Sequence, residues 1–259
     1  MNGHQQHIKQ WSWLAAILVL CLTWLSWCLP VGADNGKIVT QELEAEVLEI
    51  IRSHPEVVWE SLQTYLAQQQ QREQQAQQVA LQEITSNPEK AIASSPTTGS
   101  QEQKIVLLEF SDFQCPYCGK ATETVKDFMN LHGDEVTLAY KHYPLTSIHP
   151  QAMAAAKASW AANRQGKFWE YHDGLFAQQK KLGEEFYLAL AEELNLDLEQ
   201  FNRDRRSDGA SQGIQQDIQM AETLGIKGTP FFVMNQETLS GAVPLAQMES
   251  VLAKVKSEL

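Results

Sequence analysis

Residues 104–120 read KIVLLEFSDFQCPYCGK, and the fold turns on them. Lys104–Phe110 is a short apolar run with β-branched side chains, the pattern of a buried strand. Just beyond it Cys115 and Cys118 stand three apart, with Pro116 and Tyr117 between them. The pair is a metal clip, a structural staple or a redox centre.

A structural zinc site takes four ligands, usually as two paired clusters. The chain has no second CxxC and its histidines supply no HxxxH pair, so zinc is a poor fit. Two thiolates suffice for a soft ion such as Cu(I), and that alternative stays open. A staple closing so small a loop removes little chain entropy, so stapling is a poor reason to keep the pair. The other two cysteines, Cys21 and Cys28, lie in an N-terminal apolar segment. If that segment is removed, the mature chain keeps only CPYC.

A CxxC after a strand, in a strand–helix–strand unit, is a redox signature with a mechanism. Here the strand delivers Cys115 to a helix start, with Pro116 at the first helical position. Free N–H groups and the helix dipole there favour negative charge and lower the thiol pKa. Cys115 is then an exposed nucleophile, and Cys118, one turn on and more enclosed, resolves the mixed disulfide.

The pattern predicts a helix from about Pro116 to Leu131 and a second strand over EVTLAYKHYPL, ending at Pro144. Residues 149–224 read as helical throughout. GTPFFVMN and TLSGAV read as strands, and 245–258 as a closing helix. Strand, helix and strand imply a parallel pair, and the late strand pair a hairpin. The fold class is therefore α/β with a helical insertion at about 147–224.

Upstream, 38–84 reads as a helical arm. Leu43, Val47, Ile50, Val58, Leu62 and Leu66 make an apolar stripe, and Pro55 opens a second helix. The glutamine-rich stretch that follows reads as a solvated helix. Residues 85–103, rich in Ser, Thr and Pro, read as a linker. The first 33 residues include WSWLAAILVLCLTWLSWCLP, without a charge, followed by VGA. This is an export signal cleaved after Ala33, or an uncleaved membrane anchor. Trp27 before Cys28 argues against a lipoprotein site. A net charge of −12 disfavours nucleic acid as a partner.

LLEFSDFQCPYC and GIKGTPFFVMN, over a hundred residues apart and in this order, resemble the two signatures of the DsbA-like branch of the thioredoxin superfamily. The resemblance covers about residues 104–259. It implies a thioredoxin fold, with Cys115 as nucleophile, Cys118 as resolving cysteine and Thr229–Pro230 as a cis-proline pair facing them. It also implies that Glu109 is a buried acid tuning proton transfer, with Lys141 as its partner; a plain strand-end ion pair is the competing account of those two. His142 and His149 read as structural. The segment VLEIIRSHPEVVWESLQTYLAQQQ resembles the N-terminal helical region of ScsC-like proteins, envelope proteins linked to copper tolerance, some of them oligomeric disulfide isomerases.

These resemblances imply an extracytoplasmic thiol–disulfide oxidoreductase without cofactor. Its clients are exported cysteine-containing proteins, it works with a membrane redox partner, and residues 38–84 are a candidate homo-oligomerisation arm. A copper-binding or holdase-like envelope protein without redox turnover is the alternative.

Overall fold

The computed structural model describes residues 41–259; the N-terminal apolar segment, with its signal or anchor reading, lies outside the described residues. No helix among the described residues is long and apolar enough to cross a membrane. The chain divides into two compact units, Met1–Gln63 and Thr64–Leu259.

In its described part the first unit consists of α1 (Gln41–Ser53) and the start of α2 (Pro55–Ser86). Pro55 stands at the first position of α2, where its missing N–H costs nothing. The apolar side chains of this unit are exposed: Val47 46%, Ile50 55%, Val58 48%, Trp59 61% and Leu62 46%.

The second unit is built on five strands: β1 (Thr97–Gly99), β2 (Ile105–Ser111), β3 (Val136–His142), β4 (Phe231–Met234) and β5 (Glu237–Ser240), in the order β1-β3-β2-β4-β5. β2 and β3 are parallel and joined through α4 (Pro116–His132). β4 runs antiparallel to β2 and forms a hairpin with β5. With α10 (Leu245–Ser257) closing the chain, this is a thioredoxin fold. Between β3 and β4 lie α5 (Ala152–Asn163), α6 (Phe168–Ala177), α7 (Glu184–Glu193), α8 (Leu198–Arg205) and α9 (Asp208–Thr223).

All seven residues of β2 and of β3 are buried, because helices cover both faces of the sheet. On one face Ile105, Leu107, Val136 and Leu138 pack on Val125 and Phe128 of α4 and Leu252 of α10. On the other, Val106, Leu108, Phe110 and Ala139 meet Ile84 of α2, Ile92 of α3 (Pro88–Ile92) and Ala221 of α9. A third cluster joins the insertion to the cysteine segment through Phe113, Tyr140, Phe168, Tyr171 and Tyr187.

The linker expected at 85–103 is not one. Asn87 caps α3 by accepting from the Lys90 N–H, and Pro88 starts the helix. Ala91 and Ile92 are buried against the sheet, and Thr97–Gly99 pairs antiparallel with β3. Its Asn, Pro and Thr residues serve as cap, helix start and edge strand rather than as flexible chain. The second unit accordingly begins inside α2, and Ile84 near the end of that helix is 2% exposed.

Candidate active site

β2 ends at Ser111, and four residues later the chain enters α4. Cys115 occupies the N-cap with extended backbone (φ −70°, ψ 121°), and Pro116 sits at the first helical position. Asp112 organises the crossing. Its Oδ1 accepts from the Gln114 N–H at 2.8 Å, and its Oδ2 from the Leu145 N–H at 2.9 Å and His149 Nδ1 at 2.7 Å. Phe113 stacks on Tyr140 at 5.3 Å and lies within 6.1 Å of the rings of His142, His172 and Phe176. Burial holds both histidines low, His142 at about 3, so they pack there as neutral rings. Both rings pack in this aromatic cluster, and His149 lies outside it, against Asp112.

Both cysteines are free thiols. The Cys115 thiol is lowered to about 5, chiefly because the Cys118 thiol donates to it. Burial opposes this, while Thr229 and the backbone N–H groups of Cys118 and Tyr117 add to it. Burial and the neighbouring Cys115 sulfur push Cys118 far up, so Cys118 stays protonated. One sulfur is ionised near neutral pH and the other holds its proton.

One expectation fails here. Cys115 was expected to be exposed, yet it is only 4% exposed. Its Sγ lies 3.4 Å from the Thr229 carbonyl oxygen, so the loop before β4 covers it, while the neighbouring Tyr117 is 64% exposed. The Thr229–Pro230 bond is cis. The two motifs, 114 residues apart, thus meet at the sulfur.

Glu109 is 2% exposed, and its Oε1 lacks a hydrogen-bond partner among the described residues. Burial pushes its carboxyl up to about 7, with the Ser111 hydroxyl opposing by less. The same Ser111 hydroxyl also favours the ionised form of Cys118, against the larger effect of burial. Tyr140, opposite Glu109 in the β2–β3 register, is raised first by burial and then by the Glu109 charge. Glu109 also lines an open cleft of about 190 Å³, together with Thr122, Lys126, His172 and Asp173.

Lys141 is not the partner of Glu109. It stands opposite Phe110 in the register, one residue beyond the Tyr140–Glu109 pair. Side chains alternate along a strand, so Lys141 points to the other face of the sheet. There its Nζ lies 3.1 Å from Asp217 of α9 and donates to the Ile92 carbonyl at 3.1 Å. Asp217 Oδ2 accepts from the His142 N–H at 3.0 Å; burial raises its carboxyl, and the Lys141 charge opposes that. Asp217→Ala strands a buried ammonium, and the expected cost is about 3 kcal/mol. Urea unfolding should show this loss with no change in the pH profile of Cys115 alkylation. A shifted profile would place Lys141 back in the redox chemistry.

Sequence reasoning missed Asp112, Ser111 and Tyr140. Ser111 was within reach: it follows Glu109 by two on a strand, so the two share a face. Tyr140 and Asp112 depend on register and loop path, which no local pattern shows.

The model of the DSBA-like thioredoxin domain matches residues 106–253. The chain belongs to this family. Among curated relatives of this DSBA-like chain is the Na(+)/H(+) antiporter NhaA 3 of Salinispora tropica, 41% identical over 140 residues, which are 53% of this chain and 21% of that protein. The antiporter NhaA of Herminiimonas arsenicoxydans is 33% identical over 154 residues, 60% of this chain and 24% of that one. The DSBA-like chain thus spans about a quarter or less of the curated relatives it matches. Among solved structures, a thioredoxin-like oxidoreductase from Silicibacter pomeroyi superposes with TM-score 0.61 at 29% identity, covering 66% of this chain and 98% of that one. Proteus mirabilis ScsC in a compact conformation gives 0.58 at 25% identity, covering 84% of this chain and 100% of that one.

Proposed function

We propose that the chain is an extracytoplasmic thiol–disulfide oxidoreductase acting on the cysteines of exported proteins. The observation that carries this reading is the asymmetry of the CPYC pair: Cys115 held low at a helix N-terminus, Cys118 held high behind it. Family membership and the match to a protein described as a thioredoxin-like oxidoreductase support it.

The Cys115 thiolate attacks one sulfur of a client disulfide. A Cys115–client S–S bond forms, the client S–S bond breaks, and the departing sulfur takes a proton from solvent. Cys118 gives its proton to a base, a role we assign to the buried Glu109 carboxylate, which is raised to about 7, and attacks Cys115 Sγ. The Cys115–Cys118 bond forms and the second client sulfur leaves. The client gains two electrons and the pair loses two; a membrane redox partner resets it. The same steps in reverse oxidise a client. Pro230 and Thr229 shape the client groove over Cys115, and Pro116 and Tyr117 set the helix start and its exposed lip. The N-terminal segment supplies the signal or the anchor for export.

The arm adds self-association. Its apolar stripe is exposed, and exposed apolar area costs about 25 cal/mol per Å². Covering it with further copies sets several Cys115 sites around one client, which raises local thiol concentration for repeated attack on wrong disulfides. The ScsC match, which extends over 84% of this chain, supports the arm reading.

Insulin reduction and refolding of scrambled ribonuclease test the exchange chemistry. Wild type should do both. Val58→Asp with Leu62→Asp should abolish oligomers in light scattering and lower ribonuclease refolding about ten-fold, with insulin reduction unchanged; that ratio follows from an effective concentration lost with the linkage. A wild type inactive in both assays but binding Cu(I) tightly would overturn the reading.

A further inference from the structure

Gln179 lies in a short 3-10 turn, Gln179–Lys181, between α6 and α7. Its carboxamide reaches out of the insertion to the cysteine segment. Nε2 donates to the Phe113 carbonyl at 2.9 Å and to the Cys115 carbonyl at 2.9 Å. A carboxamide nitrogen carries two protons, and these two bonds use both.

Gly119 supplies an independent observation. It lies in α4, without the positive φ that would call for glycine on backbone grounds. Glycine inside a helix costs about 1 kcal/mol relative to alanine, so its presence needs a reason. A Cβ at 119 would lie 2.5 Å from Gln179 Oε1 and 2.9 Å from Gln179 Cδ. The carboxamide of Gln179 occupies the space a side chain would take.

We infer that Gln179 is a positioning residue for the exchange reaction: by clamping the carbonyls of Phe113 and Cys115, it holds the Cys115 sulfur over the first turn of α4. The inference rests on the proposed exchange function and extends it to the helical insertion. The physical argument concerns the N-cap. Pro116 has no N–H, so the backbone donors that favour the thiolate are those of Tyr117 and Cys118. They serve the sulfur only while Cys115 keeps its extended N-cap backbone. The Cys115 carbonyl otherwise relies on the Gly119 N–H, at 3.2 Å. Gln179 pins the carbonyls on both sides of the Gln114–Cys115 peptide, which fixes the backbone from which the sulfur projects. The insertion thereby sets the reactivity of the nucleophile without touching its sulfur.

The test titrates Cys115 by alkylation rate against pH in the reduced full chain. Wild type should show a midpoint near 5. Gln179→Ala should raise the midpoint by about one pH unit and slow alkylation at pH 5 about five-fold, the size of one lost hydrogen bond. Gln179→Glu keeps the size but removes both donors when ionised, and should shift the midpoint at least as far. Gly119→Ala should mimic Gln179→Ala, because its methyl displaces the carboxamide. The double variant Gly119→Ala, Gln179→Ala should shift no further than either single one, since both remove one contact. A Gln179→Ala profile that superimposes on wild type overturns the inference, and so do additive shifts. A purely structural role would lower stability and leave the midpoint in place. If the variants fail to fold, the wild type decides: the Gln179 Nε2 protons should exchange slowly in NMR, and fast exchange overturns the clamp. A wild type inactive towards insulin would sink the exchange function while leaving the Cys115 titration readable.

Discussion

Cys115→Ser should abolish disulfide exchange, and Cys118→Ser should trap the chain on its client as a mixed disulfide. The two outcomes differ because the sulfurs differ in charge. Cys115, lowered to about 5, is fully ionised at neutral pH, so it attacks first. Cys118, raised by burial and by its neighbour, cannot attack before it loses a proton. Alkylation followed by mass spectrometry should find label on Cys115 alone at pH 6. Faster labelling of Cys118 would reverse the roles. Linkage sets a further sign. Cys115 is depressed in the folded state, so its ionisation stabilises the reduced fold fully above the unfolded-state value near 9. That contribution is lost as pH falls through about 5. The reduced protein should therefore resist urea better than the oxidised one at pH 7, with the gap closing towards pH 5. A gap that widens on acidification would contradict the asymmetry on which the proposed function rests.

Glu109→Gln should have two large effects. The first is kinetic. Cys118 needs a base, and a carboxyl at about 7 is half ionised at neutral pH, where it accepts a proton readily. Removing a general base costs about 100-fold, so the mixed disulfide should persist about 100 times longer. Stopped-flow quenching with a cysteine-containing peptide disulfide reads this lifetime; an unchanged lifetime would release Glu109 from the reaction.

The second effect is on stability. Glu109 is raised from 4.5 unfolded to about 7 folded, so the folded state holds a proton that the unfolded state has lost. Stability falls as pH rises from 4.5 to 7 and levels off above, a penalty of about 3 kcal/mol. Glu109→Gln should flatten that slope and raise stability at pH 8. A slope that survives the substitution would assign it to another group.

The chemistry of the site was legible because it is local. A buried strand, a proline at a helix start and two cysteines one turn apart follow from neighbours in the chain, and so do the strand–helix–strand order and the closing helix. Pro230 was legible as a proline at the mouth of a strand. The segment 85–103 was misread for a physical reason: Asn87 and Pro88 cap and start a helix with the same residue types that make linkers elsewhere, and Thr97–Gly99 becomes a strand only because β3 offers an edge.

The tertiary structure decided what depends on register and burial. The family resemblance implied Lys141 as the partner of Glu109, yet the β2–β3 register pairs Glu109 with Tyr140 and turns Lys141 to Asp217 on the opposite face. Cys115 was expected to be exposed because a helix N-terminus faces outward, but the Thr229 carbonyl closes over it. Sequence alone placed Cys115 at the head of a helix, since backbone geometry and neighbouring residue types suffice for that. What covers its sulfur, what neutralises the lysine and what holds the cysteine loop come from segments up to 114 residues away, and only packing brings those together.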